Sequence, residues 1–422
     1  MDERLEDRLR RVWLAEQRLL SLHLDLLYRC NLDCCHCYLD DKRTDEMDTS
    51  EVVSVLTAAR TLGALKLTLS GGELFLRPDI LDILHHARRL NYYVKLKTHG
   101  GTVTEPLADS LKSIGIGRVD VSVYALDNDI HDAITRRKGS LVRTLRGIER
   151  LKSRGIDVRV NCVVMEPNRE VYKELYYEMT RRQIPCSLDG SVRGTNSLSL
   201  DSYALGLSAE HKKDFEAFRR TAAGGRPKPL SMDPDDHICW AGKTSLHIQP
   251  DGTVTPCVAW PMSLGNVRNT PLEQIWTDSP MLAAIRGARR KNRTGCTSCT
   301  FESKCVYCPG KAYVENQGDW LSPFQLQCTD TATRVYGTLR AAASWVRPNH
   351  TTGLFKTRSG QPAQMPQRPQ SSGILSPQRL QRHGRSQQGS PRKRLFSILS
   401  PDQAAYAKAE QIAQTVRESQ RK

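Results

Sequence analysis

No stretch of this 422-residue chain holds about 18 consecutive apolar residues, the length a bilayer-crossing helix needs. The first residues, Met1-Asp-Glu-Arg-Leu-Glu-Asp7, lack the apolar core of a secretory signal. The first absence argues against a membrane-spanning helix, and the second gives no sign of a secretory signal in these residues. They point to the cytoplasm, where thiols stay reduced and disulfides are disfavoured. Acidic residues are scarce at one end: from Ala341 onward 14 Lys and Arg face 3 Asp and Glu, so +11 of the formal +16 lies there. Apolar residues thin out over the same stretch, and Pro, Gln, Ser, Gly and Arg replace them, the composition of a disordered basic tail over 341–422. Ile374-Leu-Ser-Pro377 recurs as Ile398-Leu-Ser-Pro401, a pattern for short docking motifs, and 401–421 is compatible with a terminal helix. No nucleic-acid-binding motif accompanies the tail, so its charge is read as solvation rather than as a nucleic-acid site.

Cysteine is plentiful, and ten of the 13 fall into two motifs. Cys30, Cys34 and Cys37 form C-x3-C-x2-C within Cys30-Asn-Leu-Asp-Cys34-Cys-His-Cys37. Downstream come Cys239, Cys257, then Cys296-x2-Cys299-x5-Cys305-x2-Cys308, and Cys328. Thiolates in such numbers are the usual ligands of iron–sulfur clusters. Zinc is the competing reading of both motifs. In the first, Cys35, His36 or a distant group would complete four ligands. In the second, Cys-x2-Cys pairs suit a zinc ribbon, although seven cysteines are an odd ligand count for one. Of the spare cysteines, Cys162 lies in an apolar segment and reads as a small core residue, as does Cys186.

Between the motifs, strands alternate with helices. Strand patterns occupy Ser21–Tyr28, Leu65–Leu69, Tyr92–Lys97, Val119–Val123, Val158–Val164 and, more weakly, Ile184–Leu188. Helical patterns occupy Asp48–Thr61, Pro78–Leu90, Thr104–Ile114, Ser140–Arg154 and Val171–Arg182, with Gly115 and Gly155 placed as C-terminal caps. The alternation predicts an α/β fold of parallel βαβ units. In a parallel barrel the chemistry gathers at the C-terminal ends of the strands. The Cys30–Cys37 loop follows the first strand, Ser70-Gly71-Gly72-Glu73 the second, and Ser122 and Tyr124 the fourth.

These motifs resemble the radical S-adenosylmethionine (SAM) superfamily. The resemblance implies an open (β/α)6 partial barrel over 21–190. It assigns Cys30, Cys34 and Cys37 to three irons of a [4Fe–4S] cluster whose fourth iron binds SAM, and it implies reductive cleavage of SAM to a 5′-deoxyadenosyl radical. Gly71, Gly72 and Glu73 resemble the motif that holds the SAM amino group. The glycines are expected to let the backbone approach the ligand closely. His36 stands where the family has an aromatic contact to the cofactor. Ser122 matches a ribose contact, Asn161 to Met165 the adenine wall, and Arg136 an arginine that pairs with the SAM carboxylate. His99-Gly100 is read as a turn.

The second cysteine set resembles the SPASM extension of that superfamily. Pro250-Asp-Gly252 reads as the turn of a hairpin between Ser245–Ile248 and Thr253–Thr255. The resemblance assigns Cys296, Cys299, Cys305 and Cys328 to a distant auxiliary cluster. Cys239, Cys257 and Cys308 go to a nearer one, whose remaining position a non-cysteine group or a substrate thiol would fill. Three [4Fe–4S] clusters follow. The domains are then a helix in 1–20, the barrel in 21–190, a bridge in 191–236 with a helix from Ser208 to Arg220, the cysteine-rich domain in 237–335, and the tail in 341–422.

The function implied is oxidative modification of a peptide or protein side chain, as in maturation of a ribosomally made peptide, with electrons from an external donor. The first 20 residues leave room for only one amphipathic helix, with Leu5, Leu9 and Trp13 on one side, so a separate peptide-recognition protein is expected. Two alternatives stand beside this reading. One is sulfatase maturation or cofactor and haem biosynthesis by the same chemistry. The other is a non-enzymatic metal-binding protein that uses its tail on nucleic acid, against which the Gly-Gly-Glu motif argues.

Overall fold

A computed structural model describes residues 5–43, 45–222 and 233–336; the expected basic tail, 341–422, lies outside the described residues. Helix α1 (Leu5–Ala15) precedes strand β1 (Ser21–Asp25). Five crossovers follow: α2 (Thr49–Thr61) to β2 (Lys66–Ser70), α3 (Ile80–Arg89) to β3 (Tyr93–Thr98), α4 (Glu105–Ile114) to β4 (Arg118–Ser122), α5 (Asn128–Thr135) with α6 (Ser140–Ser153) to β5 (Val158–Val163), and α7 (Tyr172–Arg181) to β6 (Cys186–Asp189). All six strands are parallel neighbours in chain order. Local chemistry fixes the helix ends. Asp48 and Glu51 form a reciprocal capping box at α2. Thr104 caps α4, and Gly115 closes it at φ +76°.

The sheet has two unlike faces. Leu22, Leu24, Leu67, Leu69, Val94, Leu96, Val119, Val121, Val158 and Val160 alternate along the strands and are buried in the main core. Each such side chain contributes roughly 1.5–3 kcal/mol by leaving water. The intervening positions carry His23, Asp25, Lys95, Lys97, Arg118, Asp120 and Asn161. A closed eight-stranded barrel fills its interior with branched apolar side chains. This open barrel instead presents a polar inner face, which suits a cavity rather than a packed core.

After the bridge helix α8 (Ala209–Ala222), β7 (Ser245–Ile248), β8 (Thr253–Thr255) and β9 (Gly265–Asn266) form the expected hairpin and one further strand. The hairpin does not stand apart from the barrel. β7 pairs parallel with β1, Ser21 opposite Ser245 and His23 opposite His247, so nine strands make one sheet. The remaining helices are α9 (Leu272–Asp278), α10 (Pro280–Gly287), α11 (Pro309–Glu315) and α12 (Gln325–Tyr336). Arg268 reaches Glu51 on α2 at 2.7 Å, and Trp276 Nε1 donates to Gln17 O at 2.8 Å. Both fasten the second half of the chain to the first.

β1 ends at Asp25 rather than at the expected Tyr28, because the next residues leave the ladder to meet the loop after β2. Helix α5 was not expected: eight residues between two loops carry too little periodicity to register. Among the described residues, no helix is long and apolar enough to cross a membrane.

Candidate active site

The Cys30–Cys37 loop is held from three sides. α5 ends beside it, and its last carbonyls accept backbone protons from the loop, Ile134 O from Cys35 N at 2.9 Å and Thr135 O from Asp33 N at 3.2 Å. Lys42 donates to Leu32 O at 2.8 Å and pairs with Asp33 at 3.0 Å. The buried Arg77 guanidinium donates to Leu26 O before the loop (3.0 Å) and to Met47 O after it (2.8 Å), while Asp79 balances its charge. Arg77 clasps both strands of the chain that flank the motif, a role nothing in the sequence marks.

Within the loop, Cys34 lies in the electrostatic range of Cys37, Cys30 and Cys35, and burial pushes its thiol well above the ordinary range. Cys30 is likewise raised by burial and feels Glu73 and Cys37. Cys35 packs against the Tyr124, Ile134, Met165 and Val192 cluster. His36 puts its ring edge-on to Tyr124 at 4.8 Å; burial lowers its pKa to about 4, and its Nδ1 has no hydrogen-bond partner among the described residues. Its ring is therefore neutral at pH 7.

Gly71 and Gly72 make a close approach within the chain itself. A Cβ on Gly71 (φ +133°) would sit 2.1 Å from Leu27 O, and one on Gly72 2.2 Å from Arg29 O. Gly72 N donates to Leu27 O at 2.8 Å and Glu73 N to Arg29 O at 2.9 Å. The glycines bring the β2 loop against the stem of the cysteine loop. Glu73 is then fully buried, and its carboxylate accepts from Thr98 Oγ1 (2.8 and 2.9 Å), His99 N (3.0 Å) and Thr102 Oγ1 (3.0 Å). His99, read as part of a turn, is a connecting residue: its Nε2 is 3.1 Å from Glu73 Oε2 and 2.7 Å from Asn31 Oδ1 inside the cysteine loop.

Ser122, at the end of β4, lies beside the buried Tyr124 phenol, which also feels Cys34 and Cys37. Asn161 is half-buried and Met165 fully buried at the end of β5. Asn168, unmarked in the sequence, ties β4 to β5 by donating to Tyr124 O at 2.9 Å and Val163 O at 3.0 Å. Arg136 caps α5 in the left-handed conformation (φ 54°) and reaches Asp33 of the loop at 3.3 Å. The structure thus gathers Cys30, Cys34, Cys37, His36, Glu73 and Ser122 at one end of the sheet, with Arg136 on the loop's outer side.

The later cysteines fall into two groups. Cys239, Cys257 and Cys308 lie within electrostatic range of one another; burial raises the Cys239 and Cys257 thiols, while Arg193 and Lys97 favour a Cys257 thiolate. A Cβ on Gly310 would lie 2.4 Å from Ala259 O, so the Cys308-Pro-Gly310 turn presses α11 onto the Cys257 loop. Cys296, Cys299, Cys305 and Cys328 form the other group, where burial raises Cys296 to about 11 and Cys328 to about 12. Between the first cysteine loop and the Cys257 loop lies a small cavity of about 10 Å³, lined by Tyr38, Arg193, Asn196, Tyr203, Pro261 and Lys311, among others.

A sequence model of the radical SAM superfamily matches residues 25–176, and one of the SPASM iron–sulfur cluster-binding domain matches 239–300. The chain belongs to the radical SAM superfamily and carries a SPASM domain. It is similar to the PqqA peptide cyclase of Gluconobacter oxydans, 28% identical over 301 residues, 64% of this chain and 79% of that one. It is similar also to the AdoMet-dependent heme synthase of Methanosarcina barkeri, 24% identical, covering 70% and 93% of the two chains. In fold it resembles Streptococcus suis SuiB bound to S-adenosylmethionine (TM-score 0.58, 18% identical, 76% of this chain and 80% of that). The anSMEcpe structure with bound AdoMet is also alike (TM-score 0.54, 16% identical, 77% and 99%).

This radical SAM/SPASM enzyme has donor sets that suit the cofactors its domains imply, iron–sulfur clusters and SAM. Three soft thiol donors share one pocket in the first loop, and two further thiol groups lie beyond it. An unpartnered His36 nitrogen and a buried carboxylate border the first.

Proposed function

We propose that the chain holds three [4Fe–4S] clusters, binds SAM at the first, and oxidatively modifies a side chain of a ribosomally made peptide. Cys30, Cys34 and Cys37 would hold the first cluster, with Glu73 toward the SAM ammonium, Ser122 toward the ribose and His36 toward the base. Cys239, Cys257 and Cys308 would hold the nearer auxiliary cluster, and Cys296, Cys299, Cys305 and Cys328 the distant one. When bound, the first cluster and SAM supply the hydrogen-abstracting 5′-deoxyadenosyl radical.

The chain's own residues orient and shield. Glu73 already accepts from Thr98, Thr102 and His99, and a carboxylate has about four acceptor positions. A SAM ammonium would reach it on the side of the His99 ring, whose Nε2 stands 3.1 Å from Glu73 Oε2, by displacing that ring while the backbone and threonine donors stay. Arg193 and Lys311 line the small cavity beside Cys257 and Cys308 and put two cationic side chains next to the nearer thiol group.

The observation that carries the reading is the closeness of the two thiol loops: one small cavity is bounded on one side by Tyr38, next to Cys37, and on the other by Val258 and Ala259, next to Cys257. An oxidation started at the first cysteine loop thus has a second thiol group beside it to take away an electron. The likeness to PqqA peptide cyclases supports a peptide as substrate. The likeness to AdoMet-dependent heme synthases supports a second reading, a haem precursor. The test is to incubate the reconstituted chain, SAM and a low-potential reductant with short peptides encoded beside its gene, and separately with a haem precursor. A peptide product lighter by hydrogen supports the proposal; turnover of the haem precursor alone overturns it in favour of the second reading.

A further inference from the structure

β1 and β7 run side by side, with His23 directly opposite His247, and both point to the polar inner face. Asp25, two residues along β1, points to the same face. His23 Nε2 lies 3.3 Å from Asp25 Oδ1, and His247 Nε2 3.1 Å from Asp25 Oδ2. Asp25 is fully buried and His247 is 2% exposed. Yet among the described residues none of these four atoms, two nitrogens and two oxygens, has a hydrogen-bond partner of acceptable geometry. Neither imidazole aims an N–H at the carboxylate. Buried polar atoms are nearly always satisfied, so four orphans facing one another need an explanation.

The other side of His247 narrows it. Its Nδ1 is 2.8 Å from Thr255 Oγ1, and Thr255 Oγ1 donates to Cys257 O at 3.4 Å. With Nδ1–H donating to that hydroxyl, the outer-shell arrangement usual for a metal-bound imidazole, Nε2 is left free. In that tautomer Nε2 turns its lone pair toward the carboxylate, which is repulsive unless a cation lies between them. The spacing fits one. With metal–ligand bonds of about 2.0–2.2 Å, two ligands on a common ion stand roughly 3.0–3.4 Å apart between octahedral and tetrahedral angles.

We propose that His23 Nε2, His247 Nε2 and a bidentate Asp25 bind one divalent transition-metal ion of the zinc class, separate from the cysteine sites. The donor set, two imidazoles and a carboxylate, suits such ions. The four donor atoms are sealed from solvent, so the ion is structural. It cross-links the first strand of the radical SAM barrel to the first strand of the SPASM hairpin, and Thr255 orients the ligand from outside. The other ionisable groups facing the cluster are Lys97 from β3 and the phenols of Tyr28 and Tyr38.

The test uses the full chain with its iron–sulfur clusters reconstituted, dialysed against Zn2+ and then against metal-free buffer. Zinc per chain is measured by mass spectrometry, and the first coordination shell by X-ray absorption at the zinc edge. The expected result is about one zinc per chain with only nitrogen and oxygen neighbours at about 2.0–2.2 Å. His247→Gln and Asp25→Asn should each lose that zinc while iron content holds. Thr255→Val, which leaves all ligands in place, should weaken zinc binding by roughly 10- to 100-fold. Absence of tightly held zinc in the wild-type chain, or a shell containing sulfur, overturns the proposal and leaves a proton shared between Asp25 and the two histidines. So does zinc retained in both ligand variants.

Discussion

At the scale of single residues, the site depends on contacts that a motif can announce but not explain. Gly71-Gly72-Glu73 was legible by its place after a strand and its distance from the cysteines. What the glycines do was not, because the atoms they approach, Leu27 O and Arg29 O, are more than 40 residues away in the chain. Gly72→Ala should push its Cβ into the Arg29 carbonyl and displace the stem of the cysteine loop. We expect a cost on the order of 1–3 kcal/mol from overpacking, seen as a lower denaturation midpoint together with reduced iron in the first site. Unchanged stability and iron would count against the close approach. Glu73→Gln keeps the size of the side chain but removes the charge that Thr98, Thr102 and His99 share. It should abolish SAM-dependent nucleoside formation while leaving iron content intact, which separates a ligand-binding role from a folding one. His99 was invisible for the opposite reason: a histidine before a glycine looks like any turn until Asn31 and Glu73 are seen at its ring.

At the scale of elements, the parallel strands and long amphipathic helices were legible from period alone, and the short pieces were not. α5 is the instructive miss. It spans eight residues, but its C-terminal carbonyls hold the cysteine loop and its Asp127 side chain caps its start by accepting from Ile130 N at 2.9 Å. Asp127→Ala should cost about 1 kcal/mol, measurable by chemical denaturation, with a matching loss of order in the loop. α5 also buries His131, which is 1% exposed and whose pKa burial lowers to about 4. The folded state prefers the neutral ring and the unfolded chain binds the proton, so stability is full above the unfolded value near 6.5. It should fall as the pH drops from there toward 4 and flatten below, and His131→Gln should remove part of that slope. A profile identical in the two proteins would show that another group sets the acid limit. The pairing of β7 with β1 was likewise beyond the sequence. The hairpin itself was readable from Gly252 and its flanking alternation, but the strand it would join lies more than 200 residues earlier, and no local pattern records that choice.

At the scale of the whole molecule, cysteine spacing carried most of the functional reading, because thiol clusters are sparse and unlike anything a core requires. The three-dimensional grouping of Cys239 and Cys257 with Cys308, rather than with the nearer Cys296, is a property of the fold. It arises where Gly310 lets α11 rest on the Ala259 carbonyl. On the proposed assignment, the reconstituted chain should hold about 12 irons. Cys308→Ala should remove about four of them and stop product formation, yet still cleave SAM, since the first site is untouched. Loss of all iron, or no loss, would contradict the assignment. The most direct test of the central claim is anaerobic: the reconstituted full chain, SAM and dithionite, with 5′-deoxyadenosine as the readout, beside the Cys34→Ala variant. The wild-type chain should form the nucleoside and the variant should form none. A wild-type chain that binds iron at the first loop and releases no 5′-deoxyadenosine, or that holds zinc there instead, would contradict that claim.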